Sequence, residues 1–221
     1  MHSEHTPSFS VRELLAPFLS QKEQTFFKEN NNKVTIHNFP QTGSLIVANH
    51  PTIDDSHIWR LEPKAIHAVH SDALKKTGVT PIDRMIALHY SRMIPVHSAD
   101  NRQETYHDIV NLIEQGYAVI INPTGETSGN NDIPMTDKIK IGGIIRPWQL
   151  SNTDFNIFPA YVHISNITNN FRIAKGSDIH VEVTPDPLQV SDIFTKEGNV
   201  NQDIFATRLI ESWQNLAEQI Q

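Results

Sequence analysis

The chain contains no cysteine among its 221 residues. That excludes thiol nucleophiles, thiolate metal sites and disulfides, and it fits a reducing compartment. It also lacks any run of lysine or arginine, and the formal net charge is −7. A nucleic-acid partner needs a basic footprint, so none is expected. The clean apolar runs, such as AVII at 118–121, are only a handful of residues long. A membrane-spanning helix needs about 20. The opening MHSEHTPSFS has neither the basic stretch nor the apolar core of a signal peptide. With nine glycines, no P-loop and no G-x-G-x-x-G, a phosphate cradle is hard to place. The 12 histidines are scattered, so their number alone does not point to a metal.

The length suits one domain with a core large enough to fold without a staple. SVRELLAPFLSQKEQTFFKEN places Val11, Leu14, Leu15, Phe18 and Leu19 at helical spacing. Ser10 and Glu13 have the spacing of a capping box, and Pro17 predicts a kink or a break. Strand patterns follow in KVTIHNF, SLIVAN, KAIHAVH, RMIPV, YAVIINP, FNIFPAYVHI and DIHVEVTP. Helical patterns alternate with them at PIDRMIALHY, NRQETYHDIVNLIEQG, roughly 138–150, and NQDIFATRLIESWQNLAEQI. This predicts an α/β fold with a largely parallel or mixed central sheet flanked by helices. The expected organisation is a single domain over 1–221. It has a helical segment at 1–32, an α/β core over about 33–190 and a C-terminal helix over 200–221.

VANHPTIDDSH, residues 47–57, carries the chemistry. A buried strand runs into Asn49 and His50. Pro51 suits the first position of a helix expected to reach about Leu61. Asp54 and Asp55 then fall in the first turn, where acids are favoured by the helix dipole alone. A metal site could draw on His50, Asp54, Asp55, His57, His67 and His70, but no established ligand spacing is present. A serine hydrolase needs G-x-S-x-G, and GETSG at 125–129 has its serine at the wrong position. What remains is a histidine base with a carboxylate partner and no nucleophile of its own. In that arrangement the substrate supplies the nucleophile, which is the chemistry of direct acyl transfer.

NHPTIDD resembles the N-H-x4-D motif of the glycerolipid acyltransferases, the lysophosphatidate acyltransferase-like superfamily. Three further blocks resemble that family in its order. RMIPVHS at 92–98 resembles the G-x-I-P-V-x-R strand end. INPTGETSG at 121–129 resembles F-P-E-G-T-R-S, with KIGGIIRPWQLS after it. IFPAYV at 157–162 resembles the V-P-V strand. The resemblance covers roughly residues 40–190. It implies His50 as the general base and Asp55 as the aspartate that holds it. It implies a substrate-binding set of Asn49, Arg92, His97, Ser98, Thr124, Gly125, Glu126 and Thr127.

The departures fall on the phosphate readers. Ser98 and Thr127 stand where the family carries arginine, Thr124 where it carries glutamate, and Glu126 where it carries threonine. Bidentate arginine is the natural reader of phosphate. The expected acceptor is therefore a phosphate-free lipid, alcohol or amine. The expected donor is an acyl thioester on acyl carrier protein or coenzyme A, with no metal and no cofactor beyond that co-substrate. Backbone N–H groups at the start of the 51–61 helix are the expected oxyanion donors. Two other functions fit the same residues: a silent lipid-binding module, and a thioester or ester hydrolase. The expected location is the cytoplasm, either docked on the inner face of the membrane through residues 10–28 or working on a soluble acceptor. One geometric condition follows. Five residues apart on a regular helix, two side chains point about 140° apart, so His50 can meet Asp55 only from outside the helix.

Overall fold

The structure is a computed structural model that describes residues 9–70, 93–96, 102–151, 154–191, 193 and 201–220. The helical pattern at 81–90, and with it Arg92, His97 and Ser98, lies outside the described residues. So do the side chains of Ser10 and Glu13.

Seven strands form one sheet: β1 Lys33–His37, β2 Ser44–Ala48, β3 Ala65–His70, β4 Met93–Val96, β5 Ala118–Ile121, β6 Asn156–Ile164 and β7 Asp178–Val183. Their order is β1-β7-β6-β2-β5-β3-β4. Each neighbouring pair is parallel except β6 and β7, which are antiparallel. Five strands therefore end at one edge, and β7 and β1 run the other way. The helices among the described residues are α1 Phe9–Glu29, α2 Asp55–Trp59, α3 Arg102–Glu114, α4 Gly142–Leu150 and α5 Gln202–Ile220.

β2 sits inside the sheet between β5 and β6, and its apolar run is buried on both faces, as a continuous run requires. Leu45 and Val47 join a core with Ile109 of α3, Ile144 of α4 and Trp213 of α5. Ile46 and Ala48 face the opposite core, with Phe27 of α1 and Ile58 and Trp59 of α2. The result is a helix–sheet–helix arrangement with β2 at its centre.

Three expectations need correcting. α1 does not break at Pro17; it runs through as one helix, with Ser20, Glu23 and Phe27 buried along its second half. Tertiary burial there outweighs the single hydrogen bond that proline removes. The helix expected over roughly 138–150 is a 3-10 turn at Thr136–Lys138 followed by α4, with Ile139 extended between them. The helix expected from Pro51 starts only at Asp55, so residues 51–54 form an irregular turn. Among the described residues, no helix is long and apolar enough to cross a membrane.

The chain leaves β2 for β3 on one side, returns to β5, then crosses to β6 on the other side. The carboxyl end of β2 is thus flanked by the ends of β5 and β6. This is the position where open α/β sheets leave a crevice for ligands.

Candidate active site

Asparagine side chains shape the end of β2. Asn49 is buried, and its amide replaces a strand residue. Its Oδ1 accepts from the Val162 N–H at 2.7 Å, and its Nδ2 donates to the Val162 carbonyl at 3.0 Å. With that ladder closed by a side chain, the backbone of His50 is free to leave the sheet. It turns toward the loop after β5, where Ser128 N–H donates to the His50 carbonyl at 2.9 Å and Gly129 N–H to the Pro51 carbonyl at 3.1 Å. Asn122, the first residue after β5, donates from Nδ2 to the Asn49 carbonyl at 2.8 Å and the Ala48 carbonyl at 3.2 Å. The strand end is pinned from both neighbours.

His50 lies outside α2, so the condition for its meeting Asp55 is met. Its Nδ1 is 2.7 Å from Asp55 Oδ2. The Asp55 side chain is 0% exposed, and that of His50 is 20% exposed. The other carboxylate oxygen, Oδ1, accepts from Thr52 Oγ1 at 2.8 Å and from Thr52 N–H at 3.2 Å. A carboxylate can only accept, so Nδ1 carries the proton and Nε2 of the neutral ring offers its lone pair. That lone pair is met by the Thr127 hydroxyl, which donates across 2.9 Å. The base and carboxylate were expected to lack a protein nucleophile. The structure sets a hydroxyl of this chain on the second ring nitrogen.

A second histidine stands behind the pair. His67 of β3 is buried, and its Nε2–H donates to Asn122 Oδ1 at 2.6 Å. Burial pushes its pKa down to about 4, against smaller upward effects of the Asn122 hydrogen bond and the Asp55 charge. His67 is therefore neutral at neutral pH. It holds the amide that holds the Ala48 and Asn49 carbonyls.

The lowered value makes His67 a stability element with a defined sign. Between the ordinary value of 6.5 and about 4, the unfolded chain binds a proton that the folded chain refuses. Stability is therefore lost as pH falls through this window and levels off below it. At about 1.4 kcal/mol per pH unit, the gap is worth roughly 3 kcal/mol. Unfolding midpoints measured from pH 7 to pH 4 should show a shallower loss for His67→Gln than for wild type. Parallel pH curves for the two proteins would refute this role.

Asp54 and His57 turn away from His50. Asp54 accepts from Arg172 Nη1 and from the Ile173 N–H, both at 3.0 Å, which settles the choice of carboxylate in favour of Asp55. The His57 ring nitrogen Nδ1 is 2.7 Å from Glu23 Oε2 of α1, and the ring stacks on Phe26. Arg60 Nη1 completes the cluster, 3.1 Å from Glu23 Oε1. Burial alone would push the Glu23 carboxyl up, but the His57 hydrogen bond and the Arg60 charge outweigh it, and its pKa is lowered. His50, Asp54, His57 and His67, all offered as metal ligands by the sequence, thus point to four different partners.

The remaining expected site residues divide sharply. Asn49 was expected to contact substrate, but both ends of its amide are taken up by Val162. The Thr124 hydroxyl donates to the Glu126 carbonyl at 3.0 Å, and Glu126 itself is exposed on the loop. Gly125 has φ +66°, a left-handed conformation that favours glycine, and a Cβ there would lie 3.6 Å from Lys140 Nζ. The expected oxyanion donors fail. Thr52 N–H serves Asp55, Ile53 N–H serves the Phe171 carbonyl at 2.9 Å, and Asp54 N–H serves Thr52 Oγ1 at 3.1 Å. Asn122, Glu23 and Arg60 were not picked out from the sequence, and His57 and His67 were offered only as metal ligands, not as the hydrogen-bond partners they are. Asn122 had a signal: it follows β5 as Asn49 follows β2. The others had none, because their partners are 34 to 55 residues away.

No protein-family model and no curated protein matches the sequence. Among solved structures, the chain is similar to the crystal structure of the 1-acyl-sn-glycerophosphate (LPA) acyltransferase PlsC from Thermotoga maritima. The TM-score is 0.65 and the identity 11%, over 95% of this chain and 82% of that one. At that identity the likeness establishes architecture alone: this chain shares its α/β fold with that protein, as the fold expectation had it.

Proposed function

We propose that this protein is an acyltransferase that moves a fatty acyl group from an acyl thioester, on coenzyme A or acyl carrier protein, to a hydroxyl or amine acceptor. The observation that carries this is the buried Asp55 carboxylate on His50 Nδ1 at 2.7 Å, with the His50 side chain still 20% exposed. The carboxylate fixes the tautomer and stabilises the imidazolium that forms when Nε2 takes a proton. The hydroxyl so activated attacks the thioester carbonyl. The carbon–sulfur bond breaks, and His50 passes the proton to the departing thiolate. The fold likeness supports the same class of reaction.

The acceptor we propose carries no phosphate at this loop. Thr127, where the resemblance expects arginine, is neutral and is engaged with His50. Lys140 favours the other answer, since its ammonium lies beside the Gly125 turn. Acceptor preference therefore belongs in the test. Product analysis should use wild type and His50→Ala, acyl-coenzyme A donors, and separate pools of phosphate-bearing and phosphate-free alcohols and amines. Acylated phosphate-free product from wild type alone is the expected result. Preference for lysophosphatidate would overturn the acceptor, free acid regardless of acceptor would make the protein a hydrolase, and no turnover would make it a lipid-binding module.

A further inference from the structure

We propose that Thr127 is a nucleophile, and that acyl transfer passes through an acyl ester on its Oγ1. The inference rests on His50 and Asp55 acting as proposed above, and replaces the acceptor's direct attack on the thioester with a covalent step.

Three observations converge on Thr127. Its hydroxyl is 2.9 Å from Nε2, while Nδ1 of the same ring is 2.7 Å from a fully buried carboxylate. Hydroxyl, base and orienting acid are therefore joined by consecutive hydrogen bonds, which is the arrangement of an activated hydroxyl. Second, the neighbouring hydroxyl shows what a structural role looks like in this loop. Ser128 Oγ donates to the Asn130 carbonyl at 2.7 Å and to the His50 carbonyl at 3.3 Å. Among the described residues the Thr127 hydroxyl has no such carbonyl partner, and its hydrogen bond is to the base. Third, the backbone N–H groups of Glu126 and Thr127 have no hydrogen-bond partner among the described residues. They are left as donors for a developing oxyanion, a role the 52–54 amides cannot fill.

The step balances with the donor already named. Thr127 Oγ1 attacks the thioester carbonyl and yields its proton to His50 Nε2. The carbon–oxygen bond forms, the carbon–sulfur bond breaks, and the thiolate leaves with that proton. An acceptor hydroxyl or amine then takes the place of the thiol and gives its proton to Nε2. It attacks the ester carbonyl, and the proton returns to Thr127 Oγ1 as the ester bond breaks. The net reaction is the same transfer, in two half-reactions. The position matters because the resemblance puts an arginine there. The substitution removes a charge and supplies a hydroxyl.

The test incubates protein with an acyl-coenzyme A and no acceptor, quenches with acid, and measures intact mass followed by peptide mapping. Wild type should gain one acyl group on the peptide containing Thr127. Thr127→Ser should gain it on the new hydroxyl, and Thr127→Val, which keeps the shape, should gain none. Steady-state velocities with varied donor and acceptor should give parallel double-reciprocal lines for wild type. Transfer by Thr127→Val should fall about a thousandfold. Wild-type transfer by Thr127→Val, with His50→Ala inactive, would overturn the covalent step and leave direct base catalysis standing. Converging lines with no adduct would do the same. Equal turnover by His50→Ala and wild type would overturn both readings.

Discussion

Asp55→Asn is expected to cut acyl transfer by about 1000- to 10,000-fold while leaving the protein folded. The carboxylate accepts three hydrogen bonds at once: from His50 on Oδ2, and from the Thr52 hydroxyl and amide on Oδ1. An asparagine has one acceptor oxygen and one donor NH2. If its oxygen keeps Thr52, the NH2 faces His50 Nδ1 and forces the proton onto Nε2. That tautomer has no lone pair where the proton must be taken. If the amide flips, it keeps His50 but turns two donors against the Thr52 hydroxyl and N–H. The first orientation disables the base, the second sets donor against donor at the Thr52 N–H, and both come with almost no change in volume. Initial rates beside far-UV circular dichroism and a thermal melt would separate chemistry from folding. Rates within about threefold of wild type would remove Asp55 from the mechanism, since misorienting a general base costs at least about 100-fold.

The second large effect concerns stability. Glu23→Gln should lower the unfolding midpoint by roughly 10 °C. Glu23 is buried between His57 at 2.7 Å and Arg60 at 3.1 Å. Removing one member of a buried ionic cluster strands its partners in low dielectric and costs about 3–5 kcal/mol. A chain of this size loses about 2–4 °C per kcal/mol. The sign with pH is also set. The lowered Glu23 pKa means its contribution is present above the unfolded value of 4.5 and fades as pH falls through the folded one. Melts at pH 7 and at pH 4 should therefore differ more for wild type than for the variant. A shift under about 2 °C at pH 7 would show the cluster to be energetically neutral. The effect reaches the site, because His57 lies within the short helix that begins with Asp55, and Arg60 is its C-cap.

The strand pattern of this chain was legible residue by residue. SLIVA reads as a strand buried on both faces and is one. KVTIH, AVII and DIHVEV fall where alternation or short apolar runs place them. Period-two alternation and apolar runs of this length are local, so a sequence displays them directly. The start of α2 was not legible. Proline before two acids fits a helix N-terminus, yet the turn at 51–54 is held open by Thr52 on Asp55, Ile53 on Phe171 and Asp54 on Arg172. Two of those partners come from a loop more than 100 residues later, and propensity has no access to them.

By itself the sequence determined the α/β class and the buried strand that leads to His50, because both follow from short-range periodicity. The pairing of His50 with Asp55 was implied by the family resemblance, and the residues alone left Asp54 and Asp55 both open. Tertiary structure decided what stands at each nitrogen of that histidine. It took Asn49 away from the substrate side and used it to close the β2–β6 ladder. It sent Asp54 to Arg172 and His57 to Glu23. It brought Thr127, 77 residues away in the chain, onto Nε2. A hydrogen bond across such a separation is fixed by strand order and loop path, and neither is written in any local stretch of residues.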